Sequence, residues 1–289
     1  RQMAAGPFIN VPQRRFSPNH ERDRELLMPE LIINGPGGRL EARYHHESNA
    51  DSPIALILHP HPQFGGTMNN QVVYSLYHTF AARGFSVLRF NFRGVGRSQG
   101  VWDGGPGELA DAASALDWLQ LVKPDAKTCW IAGVSFGTWI AMQLLMRRPE
   151  VDGFICVAPP SNLYDFSFLA PCPSSGLIVN GDMDRVVPTA SVVEMAAKVK
   201  VQKGIKISHE VIAGANHFFE NKTEELGNIV GTYLDERMVQ FELDRERNKE
   251  RERERERERQ RQRELERLEA QSAPSAGSGS GGDDDGDDE

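Results

Sequence analysis

Hydrophobic residues fall along the chain in short runs that recur at regular intervals and predict buried β-strands. Most of these runs are apolar without a break, as parallel strands covered on both faces are. They are Ile54–His59, Ser86–Arg93, Thr128–Val134, Gly153–Ala158, Gly176–Asn180 and Ile207–Ile212. Ahead of them, Leu31–Asn34 and Arg39–Glu47 flank the turn sequence Gly35–Gly38, which predicts a leading hairpin.

Segments with helical periodicity alternate with the predicted strands. They are Asn70–Ala82, Glu108–Val122, Phe136–Arg148, Ala190–Val201 and Thr223–Glu242. Gly84, Pro124 and Pro149 stand where three of these helices end. The pattern predicts an α/β fold with a mostly parallel, doubly wound, eight-stranded sheet and helices on both faces. In such folds the functional site lies at the carboxyl ends of the strands.

Polar segments at both ends predict the division of the chain into four parts. Residues 1–29 are polar and unperiodic, so we interpret them as an N-terminal arm on one large α/β domain at 30–241. A charged helical extension follows at 242–271, where Arg and Glu alternate. This period of two sets opposite charges at i,i+3 but like charges at i,i+4, so the helix is only partly supported. The Gly/Ser-rich stretch 272–289, with its acidic end, predicts a disordered tail.

The net charge of the chain is −8, from 33 Lys+Arg and 41 Asp+Glu. Residues 242–289 hold 11 of the basic and 17 of the acidic residues, so they contribute −6 and the remainder only −2. A nearly neutral body lacks the basic surface that nucleic-acid binding requires, and we predict no nucleic-acid partner. The charged tail favours a different hypothesis, a basic protein partner for that segment.

Membrane insertion and secretion are not predicted. No apolar run approaches the roughly 18–20 residues needed to span a bilayer, and no secretory signal opens the chain. Cys129, Cys156 and Cys172 have no metal-type spacing and are interpreted as buried thiols in a reducing compartment. We therefore predict a cytoplasmic protein. The arginine-containing N-terminal arm leaves the matrix of an organelle, after N-terminal processing, as the alternative.

A G-x-S-x-G sequence, Gly133–Gly137, lies between a predicted strand and a predicted helix. Its two glycines lack Cβ atoms, so strand and helix can approach closely and a sharp turn can present the Ser135 hydroxyl. The helix that follows directs its positive end to the place where an oxyanion would form. Ser135 is the predicted nucleophile.

A serine hydroxyl needs a base, and the base needs an orienting carboxylate. Two later loops, Gly181–Pro188 and Gly214–Phe219, follow predicted strands and supply both. We assign Asp184 as the acid and His217 as the base. Asp182 is the rival acid, with a turn-forming role as its other interpretation.

An oxyanion hole requires two backbone N–H donors. Phe136 supplies one. The other is expected from the loop after the third strand, where Pro60 and Pro62 have no N–H, so His61 is the first choice and Gln63 the second. His59 and His61 also form an H-x-H pair typical of metal sites, but no third ligand stands nearby in sequence, and we predict no metal.

The segment Pro159–Ser175 is too short for a substantial cap domain and predicts an open pocket. The loops around it provide the candidate pocket residues, which are His59, Gln63, Phe64, Tyr164 and Phe166. The glycines in Asn91–Ser98 do not complete a dinucleotide fingerprint, because Gln99 stands at the sixth position. No cofactor is predicted.

Taken together, these motifs resemble the serine α/β-hydrolases, and within them a lidless bacterial-type branch related to dienelactone hydrolases. The resemblance covers about 30–238 and is carried by His59–Pro62 with Gly65–Asn70, by Arg93–Ser98, and by the three loops that hold the predicted triad. It implies hydrolysis of esters or lactones. Dienelactone hydrolases typically use cysteine where this chain has Ser135, which argues against dienelactone as the substrate.

The leading hypothesis is a serine hydrolase that cleaves a carboxylic ester or thioester through an acyl-enzyme. Its substrate would be a small molecule or an acyl group displayed on a carrier. Two alternatives stay open: a hydrolase-fold scaffold subunit of a larger assembly, and a peptidase that uses the same triad.

Overall fold

The computed structural model describes residues 31–200 and 204–272 of the chain. Eight strands form one sheet in the order β1-β2-β4-β3-β5-β6-β7-β8. The strands are β1 (Leu31–Gly35), β2 (Gly38–His45), β3 (Ile54–Leu58), β4 (Ser86–Phe90), β5 (Cys129–Val134), β6 (Gly153–Val157), β7 (Ser175–Gly181) and β8 (Ile207–Ile212). The hairpin β1–β2 and the pair β2–β4 are antiparallel, and all other neighbours are parallel. The predicted mostly parallel, eight-stranded sheet is confirmed.

Five helices connect the strands. They are α1 (Gln71–Ala81), α2 (Pro106–Val122), α3 (Phe136–Leu145), α4 (Thr189–Lys200) and α5 (Thr223–Ser272). Each begins within two residues of its predicted start. The predicted α3 is three residues too long, because the chain leaves the helix through turn hydrogen bonds from the N–H groups of Arg147 and Arg148 to the carbonyls of Leu144 and Leu145.

Helices cover both faces of the sheet because its central strands are buried on both sides. On one face, Leu56 and Ile131 share a core with side chains of α2 and α3. On the other face, the Trp130 ring meets Phe85 at 6.5 Å and Tyr233 of α5 at 6.4 Å between ring centroids. The unbroken apolar runs that predicted these strands follow from this double burial.

The site is placed by the position of β3, which lies between β4 and β5. Leu58 at the end of β3 pairs in register with Gly133 near the end of β5. The loops after β3, β4 and β5 therefore emerge side by side at one edge, where the order of the strands reverses. Open parallel sheets bind their ligands at such an edge.

Helix α5 is 50 residues long, and the chain divides along it into two compact units, 1–234 and 235–289. In the second unit the Arg–Glu alternation is exposed on the helix, with pairs such as Arg247–Asp244 at 3.5 Å. Helix α5 is long enough to cross a bilayer but is rich in charged residues. None of the described helices has the apolar stretch that crossing a bilayer requires. The predicted arm 1–29 and the predicted tail after Ser272 lie outside the described residues.

The three cysteines are buried free thiols. Burial raises the pKa of Cys129 to about 12, and burial raises the pKa of Cys172 as well. Because the thiolate is the reactive form, these thiols are unreactive side chains of the core.

Candidate active site

Ser135 lies on a strained turn between β5 and α3, with φ +50° and ψ −120°. This is a sparsely populated conformation for a residue with a side chain. The flanking glycines make the turn possible. A Cβ on Gly133 would lie 2.5 Å from the carbonyl carbon of Gly137, and one on Gly137 would lie 2.4 Å from the Leu58 oxygen. The close approach predicted from G-x-S-x-G is thus present on both sides of Ser135.

The structure brings Ser135, His217 and Asp184 together. His217 Nε2 lies 3.0 Å from Ser135 Oγ, and His217 Nδ1 lies 2.7 Å from Asp184 Oδ2. The other carboxylate oxygen of Asp184 accepts the N–H groups of Val186 and Val187, both at 2.8 Å. With its side chain fully buried and both oxygens occupied, Asp184 holds one orientation toward the His217 ring.

Asp182, the rival carboxylate, faces elsewhere. Its Oδ1 accepts the N–H of Gly214 at 2.6 Å, and the N–H of Met183 donates to the Ala215 oxygen at 3.0 Å. A Cβ on Gly181 would lie 2.1 Å from that same oxygen. Asp182 therefore joins the loop of Asp184 to the loop of His217, and the geometry favours Asp184 as the partner of His217.

A polar group behind the acid loop was missed by the sequence analysis. Asn180 is fully buried at the end of β7, and its Oδ1 lies 2.7 Å from Nε2 of His209 on β8. Thr189 Oγ1 donates to the Gly181 oxygen at 3.1 Å. Burial lowers the pKa of His209, which keeps its ring neutral and able to donate to Asn180. A lone amide at the end of an apolar strand was the signal available in the sequence.

The loop after β3 presents the candidate oxyanion donors. The N–H of Gln63 is already donated to His61 Nδ1 at 3.2 Å, while the His61 oxygen accepts from Phe64 and Gly66. Across residues 31–200 and 204–272, the backbone N–H groups of His61 and Phe136 have no hydrogen-bond acceptor within the protein. The arrangement therefore favours His61 over Gln63 as the second donor.

The His61 side chain packs against the turn that carries Ser135. Its ring lies 5.0 Å from the Phe136 ring and 4.6 Å from the Trp102 ring, between centroids. Burial lowers the pKa of His61, while the nearby Glu108 carboxylate acts in the opposite direction. The neutral ring keeps Nδ1 available as the acceptor for Gln63, which stabilises the shape of the loop.

His59 does not line the pocket, contrary to the prediction. It is fully buried, its Nε2 accepts the N–H of Phe92 at 3.0 Å, and its Nδ1 donates to the Pro60 oxygen at 2.6 Å. Burial lowers the pKa of His59 to about 4. With both ring nitrogens occupied, His59 ties the end of β3 to the end of β4, and it cannot serve in an H-x-H metal pair.

The buried neutral ring of His59 predicts a loss of stability in acid. The unfolded chain protonates this group below its ordinary pKa of 6.5, whereas the folded chain does so only near 4. The unfolded state therefore binds more protons in this window, and the free energy of unfolding falls by about 3 kcal/mol between pH 6.5 and pH 4. Denaturant titrations across this range should give a flatter pH dependence for His59→Gln. An equal slope in both proteins would contradict this assignment.

Aromatic side chains form a wall beside Ser135. The Trp139 ring lies 4.6 Å from Tyr164 and 5.8 Å from Phe136, and its Nε1 donates to the Asp165 oxygen at 3.2 Å. Trp102 completes the wall, 5.1 Å from Phe136. No local sequence pattern marks this surface, because it appears only when α3 meets two loops that are distant in sequence.

The remaining candidate pocket residues are divided between surface and core. Gln63 and Phe64 are exposed, and Tyr164 is half-buried against the aromatic wall. Phe166 is buried in the main core, with Phe168 at 6.2 Å, so its placement in the pocket is corrected.

The loop that carries Trp102 is shaped by buried charge. Arg93 donates to Asp111 from Nε at 2.9 Å and from a terminal nitrogen at 2.7 Å, and its backbone N–H does so at 3.1 Å. The buried carboxylate of Glu108 accepts the N–H groups of Asp103 and Gly105. These contacts fix the path of the chain between β4 and α2.

Several known proteins have sequences similar to this chain. The model of the X-Pro dipeptidyl-peptidase (S15) family matches residues 36–275. The protein RP471 of Rickettsia prowazekii is 51% identical over 211 residues, which cover 72% of this chain and 89% of that protein. Lysophosphatidylserine lipase ABHD12 of cattle is 27% identical over 52% of this chain and 42% of the lipase, so the chain spans less than half of that relative.

Solved structures of similar proteins have the same fold as this chain. A protein of Agrobacterium tumefaciens assigned to the α/β hydrolases is 62% identical, with a TM-score of 0.71 over 73% of this chain and 97% of that one. An α/β serine hydrolase without a lid from Xanthomonas campestris is 30% identical, with a TM-score of 0.63 over 70% of this chain and 90% of that one. The chain belongs to the serine α/β-hydrolases, and within them it matches the model of the X-Pro dipeptidyl-peptidase (S15) family.

Proposed function

We propose that the protein hydrolyses carboxylic esters and thioesters, with Ser135 as nucleophile, His217 as general base and Asp184 as the group that orients the base. One observation carries the proposal: the continuous contact from Ser135 Oγ to His217 Nε2 at 3.0 Å and from His217 Nδ1 to Asp184 at 2.7 Å. This is the geometry that activates a serine hydroxyl.

In the proposed reaction, Ser135 Oγ attacks the carbonyl carbon while His217 Nε2 takes its proton. The negative oxygen that forms is held by the N–H groups of Phe136 and His61. His217 then returns the proton to the departing alcohol or thiol, which leaves an acyl group on Ser135. Water, deprotonated by His217, attacks this acyl-enzyme and releases the acid and the free serine.

A peptidase activity is the second candidate, because the matched family is described as X-Pro dipeptidyl-peptidase. An enzyme that removes dipeptides has to bind the free ammonium group of its substrate, and carboxylates do this best. Three carboxylates near the site already accept protein N–H groups: Glu108 from Gly105, Asp165 from Ser167, and Asp182 from Gly214. The exposed Asp103 has Arg93 beside it at 3.9 Å. One of the relatives is described as a lipase, which is a further reason to place ester hydrolysis ahead of peptide hydrolysis in this proposal.

The open pocket above Ser135 supports the proposal that the substrates carry small or carrier-bound acyl groups. Between β6 and β7 the only helical element is the turn Ser167–Leu169, so the described chain has no large cap above Ser135. The three buried free thiols favour a reducing compartment such as the cytoplasm. The extension after 242 remains a proposed contact for a basic protein partner.

A substrate panel tests the proposal. Nitrophenyl esters of increasing acyl length, an acyl thioester and an X-Pro nitroanilide are offered to the wild type and to Ser135→Ala. We expect ester and thioester turnover that exceeds anilide turnover by about 100-fold or more, because alcohols and thiols leave more readily than amines. Anilide turnover equal to ester turnover would favour the peptidase, and turnover that persists in Ser135→Ala would refute the assigned nucleophile.

A further inference from the structure

Six large apolar side chains are exposed on the loops that surround Ser135. They belong to the loops after β3, β4, β6, β7 and β8, all at the carboxyl edge of the sheet. We call this set the apolar rim, which consists of Phe64, Val101, Leu163, Met183, Val186 and Phe218. Phe64 is 85% exposed and Phe218 is 54% exposed. Exposed apolar groups concentrated at one place mark a binding surface.

Each rim residue is next to a residue of the site. The Phe64 ring lies 4.7 Å from the His61 ring, and the Phe218 ring lies 5.5 Å from the His217 ring. Val101 precedes Trp102, whose ring contacts His61. A surface that covers the rim would therefore also lie over the catalytic serine.

Hydrogen bonds between loops hold parts of the rim in place. Asn162 Nδ2 donates to the Val186 oxygen at 3.1 Å, which joins the loop of Leu163 to the loop of Met183. Gln71 Nε2 donates to the Phe218 oxygen at 2.7 Å, which joins the histidine loop to the start of α1. The rim is thus built from tied segments of chain.

The charged side chains exposed on the loops of the rim do not form a basic surface. They are the basic residues Arg97 and Arg185 and the acidic residues Asp103, Asp165, Asp182 and Glu220. On the acid loop, exposed Arg185 stands between Met183 and Val186, and exposed Asp182 stands on the other side of Met183. The body of the chain, residues 1–241, has a formal charge of only −2. Neither feature attracts an anionic surface, so the rim is complementary to one without net charge.

We propose that the apolar rim binds the surface of a zwitterionic or uncharged lipid aggregate and receives an ester-bearing amphiphile from it. This deepens the proposed function and rests on it, because the reacting group is the ester of the amphiphile. An apolar surface that inserts a few ångströms into the headgroup boundary places the mouth at the depth of that ester. A second copy on the rim would cover both active sites, which is incompatible with turnover.

The test measures binding without catalysis. Ser135→Ala protein is mixed with phosphatidylcholine vesicles and floated through a density gradient at low and at high salt. We expect binding that does not change with salt, and a loss of about tenfold or more in Phe64→Ser/Phe218→Ser. The matched control is Leu121→Ser, since Leu121 is 79% exposed at the end of α2, on the opposite edge of the sheet, and should leave binding unchanged.

Several outcomes overturn the proposal. No flotation with phosphatidylcholine, flotation only with anionic phosphatidylglycerol vesicles, or equal flotation of the Phe64/Phe218 variant would each do so. Dimerisation that the Phe64/Phe218 variant abolishes, without vesicle binding, would assign the rim to a second copy. If the Ser135→Ala protein binds vesicles through the rim but the wild type cleaves no ester, the lipid surface stands and the proposed function fails.

Discussion

Replacing Ser135 by alanine is expected to lower kcat for the best ester substrate by about 10⁶-fold, close to the level set by the remaining site. The reason is geometric. Ser135 Oγ is the atom that His217 Nε2 contacts at 3.0 Å, and alanine leaves this base without a nucleophile to activate. Steady-state kinetics on the purified variant measure the loss, with circular dichroism as the check that the fold is intact.

The triad is expected to act as a unit. Adding His217→Ala to Ser135→Ala should cost little further activity, since the two groups perform one proton transfer. Independent, multiplying losses would show that His217 and Ser135 act in different steps and would contradict the assigned roles.

The largest effect on stability is expected for Asp111→Ala. The Asp111 side chain is fully buried and accepts three hydrogen bonds from Arg93. Gly107 leaves room for the guanidinium, because a Cβ there would lie 2.1 Å from an Arg93 nitrogen. Without Asp111 this largely buried charge has lost its main partner, and the free energy of unfolding should fall by about 3–5 kcal/mol. Equilibrium denaturation measures the change.

Asp117→Ala is the matched control on the same helix. Asp117 is also paired with an arginine, Arg148, but its side chain is 60% exposed. Exposed pairs contribute about 0–1 kcal/mol, so this variant should be close to the wild type. Equal losses in the two variants would contradict the importance of burial for the Arg93–Asp111 pair.

The strands could be predicted because burial on both faces leaves a direct trace in the sequence. Strand β5, for example, is buried along its whole length and appears as the apolar run Thr128–Val134. The ends of helices were less certain, since turn hydrogen bonds after Leu145 depend on the local packing of the chain. Helix α5 continues past Glu242 to Ser272 and includes the Arg–Glu segment, where the sequence had favoured a charged helical extension at 242–271.

The candidate site could be predicted where chemistry and chain order coincide, as for Ser135, Asp184 and His217. The sequence favoured Asp184 with Asp182 as a rival, because both follow the same strand, and their side-chain directions in the structure now favour Asp184. The role of His59 could not be predicted from the sequence either. Its Nε2 accepts the backbone N–H of Phe92, a residue 33 positions away. The aromatic wall combines side chains of α3 with side chains of two loops that are distant in sequence, and it therefore leaves no local pattern.

The central claim is that Ser135 is a nucleophile activated by His217, and a fluorophosphonate probe tests it most directly. Wild-type protein is incubated with the probe, digested, and the modified residue is located by mass spectrometry. We expect a single adduct on Ser135, absent in Ser135→Ala and strongly slowed in His217→Ala. No labelling of the wild type, or labelling that persists in Ser135→Ala, would contradict the account.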